Sequence, residues 1–138
     1  MIIHLNDLSK IIFSPKSVWE ITRDLLAHED EIDRDKEHFW VLHLDVRNRI
    51  KLIELVSLGT LNSSIVHPRE VFTRAVGERS AQIIISHNHP SGEHSPSDDD
   101  IGLTKRLVKA GELLGIALLD HVIVTNTGYT SMKEKRLF

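Results

Sequence analysis

The stretch from Gln82 to Gly115 constrains this chain more than any other. Gln82-Ile83-Ile84-Ile85-Ser86 is short, apolar and β-branched, the pattern of a strand buried on both faces. It runs directly into His87-Asn88-His89-Pro90-Ser91-Gly92, where Pro90 cannot continue a central strand. Ser97 then caps a helix whose first turn holds Asp98, Asp99 and Asp100. Its expected apolar face is Leu103, Leu107, Ala110 and Leu114, and Gly115 ends it. A buried strand, a loop and a capped helix in this order place two histidines at a strand end and an aspartate at a helix start.

The flanking segments complete an α/β pattern. Ser14 caps and Pro15 opens a helix with Val18, Ile21, Leu25 and Leu26 at helical spacing. His28 to Glu37 is densely charged and reads as a solvated loop or helix end. Phe39 to Val46 is rich in β-formers and apolar on both faces, and Ile50 to Leu58 returns as its hairpin partner across a turn at Asp45–Arg49. A polar loop through Asn62-Ser63-Ser64 leads to a short helix from Pro68, carrying Val71, Phe72, Ala75 and Val76, which Gly77 closes. Ile116 to Thr125 and Gly128 to Ser131 read as the last two strands. The order α-β-β-α-β-α-β-β over 138 residues predicts one α/β domain with a mixed sheet.

Composition narrows the function. The 17 Lys+Arg against 20 Asp+Glu give a net charge of −3, with no basic run of the kind that grips phosphate backbones. There is no cysteine, hence no disulfide framework, no thiolate-held zinc and no thiol nucleophile. The N-terminus does not read as a signal peptide, and no run reaches the roughly 18 apolar residues of a membrane span. A soluble cytoplasmic protein is the expectation. Nine histidines against a single tyrosine is the abnormal number, and two of them sit two residues apart. Of the others, His4, His28 and His38 are expected on the surface.

His87 and His89, at i and i+2 of a strand end, project to the same side. The glycine- and proline-bearing loop lets Asp100 fold back beside them. Two neutral imidazoles and a carboxylate make a three-ligand set for Zn²⁺ with a fourth position left for water. Two plainer readings stand beside this one. A strand-end histidine pair can simply cap a sheet, and Ser97-x-x-Asp100 is a capping box in its own right. Glu54 shares a strand face with Ile50, Leu52 and Val56, where a carboxylate is costly unless paired or protonated. It is either a general base of raised pKa or part of a solvated edge. Asp98 and Asp99 are expected on other sides of the helix from Asp100, which leaves too few carboxylates for a two-metal nuclease.

His87-Asn88-His89-Pro90, six residues, then Ser97-x-x-Asp100 resembles the JAMM (MPN-plus) zinc metalloprotease motif. More closely, the chain resembles the RadC-type JAB domain. The likeness includes Leu44-Asp45, Gly59-Thr60-Leu61-Asn62, His67-Pro68-Arg69-Glu70-Val71, Leu118-Leu119-Asp120-His121 and Tyr129-x-Ser131, and spans roughly residues 15 to 137. The resemblance implies a cytidine-deaminase-like (JAB/MPN) α/β/α sandwich with a mixed sheet. It implies zinc on His87, His89 and Asp100, Glu54 as general acid/base, and Ser97 as the group orienting or stabilising an oxyanion. The activity implied is hydrolysis of a peptide or isopeptide bond, with a peptide or protein as partner. The alternative is an accessory or interaction domain in DNA repair with little turnover. RadC-type proteins often carry an N-terminal helix-hairpin-helix region associated with DNA, and the residues before Ser14 leave no room for one, so nucleic acid is not the expected partner. No role follows for His67, Arg69, Asp120 or His121, and none for a particular oligomeric state.

Overall fold

The computed structural model describes residues 2–4, 13–59 and 66–138, with His4 described by its backbone alone. The elements are β1 (Ile2–His4), α1 (Pro15–Ala27), α2 (Glu31–Arg34), β2 (Glu37–Leu44), β3 (Ile50–Gly59), α3 (Pro68–Gly77), β4 (Gln82–Asn88), α4 (Asp98–Leu114), β5 (Ala117–Val124) and β6 (Tyr129–Ser131). They include every element the pattern predicts and add the edge strand β1 and the one-turn helix α2. The polar loop at Asn62-Ser63-Ser64 lies outside the described residues. No helix among the described residues is long and apolar enough to cross a membrane.

The six strands form one mixed sheet in the order β1-β3-β2-β4-β5-β6. All neighbouring pairs are antiparallel except β4 and β5, which α4 connects as a crossover. The crevice at the C-terminal end of β4, where the chain leaves for α4, is where an α/β sheet places a ligand site.

The helices cover both faces. On one, Val18 and Ile21 of α1 pack on Trp40, Leu42, Ile84, Val122 and Val124. On the other, Val71, Phe72 and Ala75 of α3 and Leu103 and Leu107 of α4 pack on Phe39, Val41, Ile83 and Ile85. Each large apolar side chain buried in this way contributes about 1.5–3 kcal/mol. Local chemistry sets the ends. Ser14 Oγ accepts from the Ser17 amide while Ser17 Oγ accepts from the Ser14 amide, a capping box at the start of α1. The β2–β3 hairpin turns at Asn48, whose φ of 61° is tolerated by Asn, with Asp45 Oδ1 accepting from the amides of Arg47 and Arg49. Gly115, at φ 72°, ends α4 in the left-handed conformation.

Four expectations need correction. The buried face of α4 is Asp100, Leu103, Thr104, Leu107 and Gly111, whereas Leu114 is 50% exposed. The helix turns its first-turn aspartate and Thr104 inward, so the stripe is rotated from the one that apolar residues alone suggest. Gly77 is the last residue of α3 and Glu78 caps it, while the positive φ falls on Arg79. His38 is fully buried and stacks on Trp40, because β2 is a central strand covered on both faces. Glu54 does not share one face with Ile50: bulges between Phe39/Trp40 and His43/Leu44 break the β2–β3 alternation, and Ile50 packs on the α1 side.

Candidate metal centre

Strand β4 carries His87 and His89 to the crevice, and the first turn of α4 brings Asp100 against them. His87 Nε2 and His89 Nε2 lie 2.9 Å apart. Asp100 Oδ1 is 3.3 Å from His87 Nε2, and Oδ2 is 3.4 Å from His89 Nε2. His87 is fully buried, Asp100 nearly so, and His89 half-buried. Donor atoms bound to a tetrahedral zinc at about 2.0–2.1 Å sit roughly 3.3 Å from one another, so the two His–Asp spacings match it and the His–His spacing is shorter. Among the described residues this is the group of three or more His, Asp or Glu side chains that converges closely enough to hold a metal ion.

The imidazoles are oriented from behind. His89 Nδ1 lies 2.7 Å from the Glu93 carbonyl, which can only accept, so the Nδ1 proton is donated there and the Nε2 lone pair faces the site. His87 Nδ1 is 2.6 Å from His121 Nε2, and His121 Nδ1 is 2.6 Å from Thr104 Oγ1. Thr104 has one hydroxyl proton, donated to the Asp100 carbonyl at 2.7 Å, so its oxygen accepts from His121. Assigned through this network, His121 accepts from His87 Nδ1–H and a second Nε2 lone pair faces the site. In this assignment two imidazole lone pairs and a carboxylate converge, a donor set that a metal ion or a shared proton between them would satisfy.

The charges at the site favour an ionised Asp100: burial pushes its carboxyl up, but the adjoining imidazoles of His87 and His89 and the Ser97 amide overcome it and hold the carboxyl well below its ordinary value. Asp100 raises His89 against the opposing effect of burial. Burial holds His121 far below the usual imidazole value, reinforced by His87, so it stays neutral as an acceptor. Phe39 closes the inner wall, stacked on His87 and edge-on to His121.

The capping box expected at Ser97-x-x-Asp100 is present, and its carboxylate also faces the two histidines. Ser97 Oγ accepts from the Asp100 amide at 3.0 Å, and Asp100 Oδ2 accepts from the Ser97 amide at 2.9 Å while turning toward His89. The capping box is therefore what aims the carboxylate. Ser97 is exposed at the mouth, and its hydroxyl donates to no group among the described residues.

A cleft of about 300 Å³ opens over these groups, lined among others by Glu37, Pro90, Ser97, Asp99 and Leu103. Glu54 is not part of it. Its Oε1 lies 3.5 Å from His43 Nε2 and its Oε2 4.0 Å from Arg74 Nε. Burial does raise its carboxyl, against the pull of Arg74, as its apolar surroundings suggest. The position is wrong, however. Glu54 pairs with Val41, four residues along β2 from Glu37 and thus roughly 13 Å away at the rise of a strand. A carboxylate that does line the cleft is Glu37, which sequence reading left inside a charged loop. It opens β2, two residues before Phe39, and Phe39 pairs with His87 across the β2–β4 ladder. That register puts Glu37 on the face and at the level of the histidines. Asp99 also lines the mouth, contrary to expectation, while Asp98 does not.

Asp120, next to His121, has a role in holding the fold. Its Oδ1 accepts from the His121 and Lys133 amides, and its Oδ2 accepts from Ser131 Oγ. This ties β5, β6 and the C-terminal turn together behind the metal centre. Arg69 and Glu70 form no ion pair among the described residues.

A six-stranded mixed sheet between helices, with a His-x-His strand end facing a helix-borne aspartate, defines a domain of the JAB/MPN class. The profile of the RadC-like JAB domain matches residues 12–137, and the chain belongs to that family. It is 48% identical over 130 residues to a UPF0758 protein of Syntrophomonas wolfei, covering 94% of this chain and 55% of that protein. It is 51% identical over 112 residues to a UPF0758 protein of Desulforamulus reducens, covering 81% and 49%. A UPF0758 protein of Methanosarcina mazei is 48% identical over 124 residues, covering 90% and 52%. The chain spans about half the length of these curated relatives.

Proposed function

We propose that this domain is a zinc-dependent hydrolase that cleaves a peptide or isopeptide bond, with His87, His89 and Asp100 as ligands and Glu37, rather than Glu54, as the general base. The observation that carries the reading is the pair of imidazole Nε2 atoms 2.9 Å apart, each backed by a fixed hydrogen-bond partner, with one carboxylate bridging them. A structural zinc closes all four positions with protein, whereas three protein ligands at the base of an open cleft suit catalysis. Zinc in such a site supplies activated water near neutral pH and a Lewis acid for a carbonyl oxygen.

The chain's own groups divide the remaining work. Glu37 takes the proton of the attacking water and returns it to the leaving amine, so the water adds across the bond without net proton transfer. The unused Ser97 hydroxyl donates to the oxygen that becomes negative when the carbonyl carbon turns tetrahedral. Leu103 and Pro90 supply the apolar part of the cleft wall.

The test is a proteome-derived peptide library offered to the zinc-loaded protein and two variants. Wild type is expected to cleave, and Glu37→Gln to lose about 10²–10⁴-fold in rate with zinc retained. Glu54→Gln is expected to cleave as wild type does. Loss of cleavage in Glu54→Gln together with normal rates in Glu37→Gln would reverse the assignment.

A further inference from the structure

Beside the metal cleft lies a second cavity of about 310 Å³ that shares His89 and Pro90 with it. Arg23 and Arg34 line it, with Asp35, Thr125 and Asn126. Neither arginine is placed there by an anion. The Arg23 guanidinium sits 4.4 Å above the Trp19 ring, and Trp19 is pinned in turn by Nε1 donating to the Thr125 carbonyl at 2.8 Å. Arg34 Nη2 donates to the Glu29 carbonyl at 3.0 Å and reaches the Ala27 carbonyl at 3.5 Å, at the end of α1. Among the described residues neither arginine makes an ion pair. Both side chains are exposed and each is steadied by neutral groups, with guanidinium edges left over for a ligand.

We propose that this cavity binds a carboxylate of the substrate, close to the bond cleaved at the metal centre. The proposal rests on the hydrolase reading above and adds to it the class of substrate. The charge balance selects the ligand: Asp35 offsets one arginine, leaving one net positive charge, which suits a single carboxylate. A nucleic-acid backbone is disfavoured, because Glu37 and Asp99 face the adjoining cleft and would repel successive phosphates. The carboxylate has two sources, an internal acidic side chain or the substrate's own C-terminus.

The experiment is an NMR titration of the zinc-loaded chain, following the arginine Nε–H resonances. The probes are N-acetylated tetraalanine amide, the same amidated peptide with one Glu, tetraalanine with a free C-terminal carboxylate, and a short DNA duplex. The Arg23 and Arg34 signals are expected to shift with a carboxylate-bearing peptide and to stay still with the neutral one. Arg23→Gln or Arg34→Gln should weaken that binding about tenfold or more, and Asp35→Asn should tighten it. Preference for the Glu peptide assigns the site to an acidic side chain, and preference for the free terminus assigns it to a C-terminal carboxylate. Equal binding of all three peptides overturns the proposal, as does DNA moving these signals while the carboxylate peptides do not. Binding is read without turnover, so a carboxylate bound but never cleaved counts against the hydrolase reading alone. Cleavage indifferent to carboxylates removes this site and leaves that reading intact.

Discussion

His87 Nδ1 and His121 Nε2 lie 2.6 Å apart inside the protein, and His121 is in turn hydrogen-bonded to Thr104. This chain of contacts fixes the ring of His87, a proposed metal ligand, from within the core, and it ends on the helix turn that carries Asp100, because Thr104 also donates to the Asp100 carbonyl. Removing such a supporting partner typically costs about 10–100-fold in metal affinity. His121→Phe is expected to lower zinc affinity by about that factor with its fold preserved, and Thr104→Val by less. In the zinc-loaded protein, nitrogen NMR should find the proton of His87 on Nδ1. A proton on Nε2, or unchanged zinc affinity in His121→Phe, contradicts this account.

Ser97 caps α4 and is proposed to stabilise an oxyanion, and the two roles make different demands. As a cap it only accepts, so Ser97→Ala should cost about 1 kcal/mol of stability, and Ser97→Asn should restore it, since Asn caps as well. As an oxyanion donor its hydroxyl must sit where the charge develops, and losing such a donor costs about 10²–10³ in turnover. Ser97→Asn is therefore expected to recover the melting temperature but not the rate. Normal turnover in the Asn variant would reduce Ser97 to a cap.

The proposed ligands could be read from the sequence because their geometry is local. A strand stopped by Pro90 and a helix opened by Ser97 fix where His87, His89 and Asp100 go without long-range information. Glu37 could not be read in the same way. Its place in the cleft depends on the register of β2 against β4, two strands distant in sequence, and a carboxylate at the edge of a charged segment looks like solvent. Glu54 misled because a half-buried carboxylate can sit anywhere along a strand, and this one lies in the middle of β3 beside His43 and Arg74, away from the end of β4. His121 is fully buried, but only the fold reveals that it touches His87. Thr104 did leave a trace, one helical turn after Asp100 on the face that proved to be buried.

His43 supplies a pH dependence separate from the metal centre. Burial, followed by the nearby Lys51 and Arg74 charges, lowers it to about 4, and its Nδ1 is hydrogen-bonded to Ser80 Oγ at 3.0 Å. Between pH about 4 and 6.5 the unfolded chain takes up a proton here that the folded chain does not, so stability rises with pH across that window. The contribution is fully present above pH 6.5, is lost as pH falls toward 4, and amounts to about 3 kcal/mol. Denaturant titrations of wild type and His43→Leu should give a stability difference that grows by about this amount over the window and is flat above it. A difference independent of pH would mean that His43 titrates alike in both states.

Asp100→Asn decides whether one zinc is held between His87, His89 and Asp100 as proposed. The amide can still accept from the Ser97 amide and keep the capping box, but it removes the charge that faces the two imidazoles. Elemental analysis after gentle purification and zinc loading is expected to give about one zinc per wild-type chain and almost none for Asp100→Asn or His89→Ala, with near-wild-type circular dichroism in Asp100→Asn. A wild-type chain that takes up no zinc, or an Asp100→Asn chain that holds it as tightly as wild type, would contradict the account.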